Sequence, residues 1–268
     1  MNEDLPDQNQ PLEQEWQAPP PPDNQIVEEP ARMSEVGTLG SIFFEPGATF
    51  EDLRRKPRFL LAGLIIVVLF TAFNVLFIQK IGFEEIAKAR IESNERAQQL
   101  PAEQKKAIIE QQSSPVIKGI SYVAGPIVII LIFLIGSLIY WLGVKAMGGE
   151  TTFSRALSVW VYSSFPPSVV SMLANILVLF LKSPDDIDIL TAQSGLIKAS
   201  PAFFMDEKNY KVLSAILGTF DLFYIWGWIL AAIGLRIVGK VSTGTAWAIV
   251  LFVALFNVAV RVVGALFS

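Results

Sequence analysis

Apolar residues gather after Lys56 into five long runs, each close to the roughly 20 residues a helix needs to cross a hydrocarbon core of about 30 Å. They predict spans at about 59–78, 120–144, 157–181, 213–235 and 246–267. The first contains one strongly polar residue, Asn74, between cations at Arg58 and Lys80, and the second carries no charge. The third is interrupted by Pro166-Pro167, which remove backbone donors and predict a kink. The fourth carries Asp221, Trp226 and Trp228, and the fifth carries Asn257 and Arg261. This pattern defines an all-α fold class, a polytopic membrane helical bundle of about five transmembrane helices.

Between the first two spans, residues 79–119 are polar. The stretch 83–100 holds neither Gly nor Pro, and Pro101 suits the first position of a further helix over 102–112. A helical hairpin follows, either solvated or lying on a membrane surface or partner. In the loop 182–212, Asp185, Asp186 and Asp188 raise the question of a cation site. Ser183-Pro184-Asp185 reads better as a helix start, where acids are favourable, and no metal site is expected.

The N-terminal region changes character. Residues 1–36 hold nine acidic residues, seven prolines and a single arginine. Such a segment cannot bury enough apolar surface to offset its ordering entropy, so residues 1–40 are expected to be an acidic, Pro-rich disordered tail. The net charge of −4 comes mainly from this tail and gives no support to nucleic-acid binding. Over the whole chain, 52% of residues are hydrophobic and 17% charged, which departs from soluble domains toward membrane composition. Cysteine and histidine are both absent. Disulfides, thiolate metal sites and every His-based catalytic arrangement are thereby removed.

Positive charges beside the spans set the expected orientation. Arg54, Arg55, Lys56 and Arg58 precede the first span, and Lys145, Arg155, Arg236 and Lys240 flank two short loops on the same side. The expectation is a cytoplasmic N-terminus and an external C-terminus. Seven Lys or Arg in residues 79–119 oppose this bias, diluted by six glutamates.

Ionisable groups inside a span cost about 2.5–3.5 kcal/mol at its centre and normally face a partner or water. Taken as continuous antiparallel helices, the fourth and fifth spans place Asp221 about 12 Å and Arg261 about 9 Å from the same outer surface. An Asp221–Arg261 ion pair is therefore expected, completed by Asn257 at i−4 from Arg261, with Asn175 and Asn74 adding hydrogen bonds. Such a network either fixes helix pairing or frames a small polar cavity for an ion or lipid headgroup. Only one carboxylate lies in a span and no lysine reaches membrane depth, so intramembrane aspartyl-protease and Ser–Lys chemistry are set aside. Gly148-Gly149 lacks the Lys-Ser/Thr continuation of a phosphate-binding loop. No enzyme activity and no cofactor are expected.

Ahead of the first span, residues 41–58 combine Phe43, Phe44, Phe50 and Leu53 with Arg54, Arg55, Lys56 and Arg58. This composition predicts an interfacial segment, its aromatic rings at headgroup level and its cations on anionic lipid. A simple stop-and-orient role and a lipid- or partner-recognising role both fit. Gly227 and Ala231, with Ala232, Gly234 and Gly239 nearby, allow close helix approach, within the chain or in a homo-oligomer.

A series of short motifs recurs in order along the chain. Ile42-Phe43-Phe44-Glu45-Pro46, Thr49-Phe50, Leu53 and Lys56-Pro57-Arg58-Phe59 come first. Gly148-Gly149, Thr152-Phe153, Tyr162 and Pro166 follow, and then Asp221-Leu222-Phe223, Trp226, Gly234-Leu235 and Lys240. Together they resemble the Yip domain family, the Ypt/Rab-interacting five-span membrane proteins, in its prokaryotic branch. The resemblance implies an all-helical bundle with a cytoplasmic N-terminus. Eukaryotic members act in vesicle traffic by binding prenylated Rab GTPases and one another, but no GTPase-contacting motif maps onto these residues.

The functional expectation is a non-enzymatic membrane scaffold or adaptor organising partner proteins or membrane shape. A small transporter or channel component using the polar cluster is the alternative, and lipid handling comes third. Partners are expected among membrane lipids and membrane or cytoplasmic proteins.

Overall fold

The computed structural model describes residues 30–192, 195–205 and 210–267. The tail expected over residues 1–29 lies outside them. Where the tail was expected to continue to residue 40, the chain instead enters helix α1 (Glu35–Phe44), whose N-cap Ser34 accepts from the Gly37 amide. Helix α2 (Pro46–Arg55) follows at once, with Pro46 at its first position, and α1 and α2 form a tight hairpin.

Among the described residues four single helices are long and apolar enough to cross a membrane: α3 (Leu60–Ile81), α7 (Pro115–Ala146), α8 (Phe153–Leu181) and α12 (Thr243–Phe267). A fifth crossing is a broken one. Helices α10 (Lys211–Leu217) and α11 (Leu222–Val238) are bent by 44° at residues 218–221. At 1.5 Å per residue α11 alone is about 25 Å long, short of a hydrocarbon core, and α10 supplies the rest. The fourth span is thus not the continuous helix over 213–235 that hydropathy predicts. Pro166 and Pro167 sit inside α8, which nevertheless runs unbroken from Phe153 to Leu181. Gly227 of α11 lies against the Ser163 carbonyl, which Pro167 leaves without its helical donor.

The five crossings alternate in direction. This creates a basic end, with α1–α2 and the short turns 147–152 and 239–242, and a loop end, with residues 82–114 and 182–210. Helix α8 is the hub, packed on α3, α7 and α11, and α2 packs on α11 and α8. The main core is centred on Phe50, Tyr162, Val159 and Leu235, all fully buried. A smaller one at the loop end gathers Phe73, Phe77, Ile86, Met172 and Leu179.

At the loop end α3 turns into α4 (Phe83–Ser93) through Gly82, whose φ of 91° is a left-handed conformation suited to glycine. The helix predicted over 83–100 is broken at Asn94, because its side chain caps the short α5 (Glu95–Gln98) by accepting from Arg96 and Ala97 amides. Pro101 precedes α6 (Ala102–Gln112), as the sequence predicts. Lys88 pairs with Glu84 and Glu85, whose hydrogen bonds hold its ammonium above the ordinary lysine pKa. Lys80 at the end of α3 donates to the Leu179 and Lys182 carbonyls, placing a cation on the C-terminus of α8.

Candidate functional site

Two polar regions carry the functional argument, and the first is the expected intramembrane network. Asp221 and Arg261 do not form an ion pair. Asp221 lies at the break between α10 and α11 and is the N-cap of α11: its Oδ1 accepts from the Phe223 amide and its Oδ2 from the Ala199 amide, each at 2.9 Å. Asp221 would reach the depth of Arg261 only within a continuous helix, and its backbone here is extended. Carboxylates make strong hydrogen bonds to backbone donors at a helix start, and that partnership replaces the guanidinium.

Arg261 is held by its own helix and by α11. Its Nε donates to Asn257 Oδ1 at 3.0 Å and its Nη2 to the Tyr224 hydroxyl at 3.0 Å, with the guanidinium 5.4 Å from the Tyr224 ring centre. The shared face of Asn257 and Arg261 is therefore real, but its third member is Tyr224. No sequence spacing marked that residue, which the packing of α11 on α12 brings in.

Asn175 is buried and serves a different contact. Its Nδ2 donates to the Ser171 carbonyl at 2.7 Å, and its Oδ1 accepts from the Leu196 and Ile197 amides. It anchors the loop 195–200 rather than joining Asp221 in a shared cluster. Asn74 is exposed on α3 and joins neither group. In the acidic loop, Pro184–Asp186 forms a 3-10 turn, and Asp188 caps α9 (Ile189–Ala192) through the Leu190 and Thr191 amides. Among the described residues no group of three or more acids converges in a way that could hold a metal.

The second region is the α1–α2 hairpin, and its geometry corrects the interfacial reading of 41–58. Phe50 is not at headgroup level but fully buried, its ring seated over Gly234 of α11. A methyl group at Gly234 would lie 2.8 Å from both Phe50 and Val159, so glycine there is what admits the ring. Phe43 packs edge-on against Phe165 and Trp226, with ring centres 6.0 and 6.1 Å away. Of the three phenylalanines only Phe44, 86% exposed, faces outward.

Polar contacts lock the hairpin in place. The Thr38 and Tyr162 hydroxyls lie 2.7 Å apart in the interior, tying α1 to α8. Arg155 Nε donates to the Arg54 carbonyl at 2.8 Å, a cation on the C-terminal end of α2. Asp52, 1% exposed, accepts from the Arg32 and Met33 amides through Oδ1 and meets Arg58 through Oδ2 at 3.4 Å. That last contact is an ion pair without hydrogen-bond alignment. Of the cluster Arg54, Arg55, Lys56 and Arg58, then, Arg58 turns inward to neutralise a buried acid, whereas Lys56 is exposed. A cavity of about 530 Å³ adjoins this node, lined by Ser34, Glu35 and 56–60.

Asp52 and Thr38 are the residues that sequence reasoning passed over. The helical spacing Thr38–Ile42 and the adjacent trio Thr49, Phe50 and Leu53 mark the buried faces in retrospect, since all five have no exposed surface.

A bundle of alternating apolar helices with one broken crossing defines a multi-pass integral membrane protein. The chain belongs to the Yip1 domain family, whose family model matches residues 40–263. It is similar to the membrane protein YknW of Bacillus subtilis (strain 168), 30% identical over 222 residues that cover 82% of this chain and 87% of the relative. No solved structure matches. Motifs of the family resemblance meet in space: Phe50 on Gly234 and Gly149 against Gly239, which accepts from the Glu150 amide at 3.0 Å, near the basic end, and Phe43 on Trp226 deeper in the bundle.

Proposed function

We propose that this protein is a non-enzymatic scaffold of the bacterial cytoplasmic membrane, which uses the docked α1–α2 hairpin as a fixed platform for partner proteins. The observation that carries this reading is the hairpin itself. Its inner face is anchored to α11 and α8 through Phe50 and Thr38 and to the segment before α3 through Asp52, while Val36 and Phe44 remain 71% and 86% exposed and Lys56 is exposed at the far end of α2. An aromatic and a cation on a rigid element suit recognition, because little side-chain order is lost on binding.

Transport through an Asp221–Arg261 cluster has less support, because Asp221 is engaged with two backbone amides and Arg261 with Asn257 and Tyr224. A photo-crosslinking residue at Val36 in native membranes tests the platform. A discrete protein adduct that disappears when Phe44→Asp is added supports it; adducts with lipid alone defeat it. The basic end faces the cytoplasm in this reading. Because the chain has no native cysteine, single cysteines at Ser113 and Gly148 can be labelled with an impermeant maleimide in intact cells. Labelling at Ser113 alone is expected, and the reverse pattern would invert the topology.

A further inference from the structure

The chain between α8 and α10 changes course at Gly195. Before it, Asp185 and Asp186 directly follow the end of α8 and are exposed. After it, residues 195–200 are received by side chains of two crossings, and those side chains fix how deep the backbone lies.

Lys80 near the end of α3 donates to the Leu179 and Lys182 carbonyls, so α3 and α8 end at one level. From Leu60 to that level α3 is about 30 Å long, the thickness of a hydrocarbon core. Asn175 stands one to two helical turns inside it, about 6–10 Å, and its Oδ1 accepts from the Leu196 and Ile197 amides. The broken crossing gives the same depth. The Ala199 amide donates to Asp221 and its carbonyl accepts from the Leu222 amide, at the start of α11. From the exposed Lys211 to the break, α10 descends about 10 Å. Residues 196–199 therefore lie inside the bilayer.

Non-helical backbone is tolerated at such depth only where protein meets its polar groups. Asn175, Asp221 and Leu222 do so for residues 196–199. The chain then enters a 3-10 turn, Pro201–Phe204, packed on α10. Pro201 has no amide to satisfy, and the Phe203 and Met205 amides donate to the Ser200 and Ala202 carbonyls. Ala202 is buried beside Gly218 of the break. Phe203 and Phe204 point the other way: they are 65% and 87% exposed, their rings edge-on with centres 5.3 Å apart. Leu213, Phe220 and Leu222 of the broken crossing are exposed as well, so the turn continues a lipid-facing surface. Two neighbouring exposed phenylalanines on an anchored turn at this level are matched by hydrocarbon and not by water.

We propose that residues 195–205 form a re-entrant segment whose Phe203–Phe204 pair inserts among the acyl chains of the leaflet at the loop end. The partner of this surface is the lipid itself. The proposal is independent of the hairpin platform at the basic end.

Because the chain has no cysteine, single nitroxide labels can report depth in the full-length protein. Phe203→Cys and Phe204→Cys are labelled and reconstituted in vesicles of equal phosphatidylglycerol and phosphatidylcholine. Asp185→Cys serves as the aqueous reference and Leu255→Cys, exposed on α12, as the lipid reference. Labels at both phenylalanine positions should relax with oxygen as strongly as at Leu255 and lose the relaxation by a water-soluble nickel chelate that Asp185 shows. Adding Asp221→Ala, which releases the Ala199 amide, should restore the nickel effect at Phe204. Nickel relaxation equal to that at Asp185 would put the turn in water and overturn the proposal. Weak relaxation by both reagents would mean a protein cover, such as a second copy of this chain, and would overturn it equally. An unchanged depth in the Asp221→Ala chain would overturn the anchoring at the break, and with it the re-entrant path.

Discussion

At the basic end packing dominates: Phe50 fills the Gly234 notch against Val159 and Thr38 meets Tyr162, with Asp52 and Arg155 adding contacts to backbone. At the loop end the connection between α8 and α11 is held by side chains that meet backbone, Asn175 on Leu196 and Ile197, and Asp221 on Ala199 and Phe223. The difference follows from length and composition. The hairpin α1–α2 is helical and satisfies its own amides, so it has apolar faces free to pack. The described part of the connection over 182–210 has only short helical turns, and its amides near the bundle must find acceptors there. One end is consequently sensitive to volume and the other to hydrogen-bonding capacity.

Variants can separate these two regimes. The largest effect is expected from Phe50→Ala, which empties a fully buried aromatic site and should cost about 3–5 kcal/mol. Limited proteolysis should then cut within 33–56 while 195–222 stays protected, and cleavage at both ends would show that they fold as one unit. Gly234→Leu should unseat the hairpin similarly, by about 1–3 kcal/mol, because Phe50 and Val159 leave no room for a side chain.

Next comes Asp221→Ala. It removes the cap of α11 and leaves the Ala199 amide without its acceptor, at about 2–3 kcal/mol. Hydrogen exchange should rise over 195–224 and leave α1–α2 unchanged. Asn175→Leu should loosen residues 195–197 by about 1–3 kcal/mol, read by the same exchange measurement. The smallest effect is the most diagnostic. A double-mutant cycle between Asp221→Ala and Arg261→Ala should give a coupling below about 0.5 kcal/mol, because the two side chains have separate partners. A coupling of 1.5 kcal/mol or more would restore the ion pair.

How much of this was legible in the residues varies by feature. Each of the five crossings shows as a hydropathic run, because the bilayer imposes a length that few other environments demand. Asn257 and Arg261 are readable as one face, since i and i+4 positions on a helix are neighbours whatever surrounds them. The Asp221–Arg261 pair fails because it required the backbone at 218–221 to be helical, and Asp221 is itself a residue that starts helices. The segment 41–58 reads as interfacial because aromatics beside arginines have that composition. Its burial depends on Gly234, almost two hundred residues away, which no local pattern connects to Phe50.

Hydropathy and charge thus dictate that this chain lies in a membrane, how often it crosses and which end is basic, because transfer energies add up along the chain and need no partner. The choice of partner for each polar or aromatic group belongs to the tertiary structure. Asp221 takes backbone amides instead of Arg261, Phe50 takes a glycine notch instead of lipid, and Arg58 takes a buried acid instead of a headgroup. These are competitions between contacts of similar strength, decided by which groups the packed helices bring within reach.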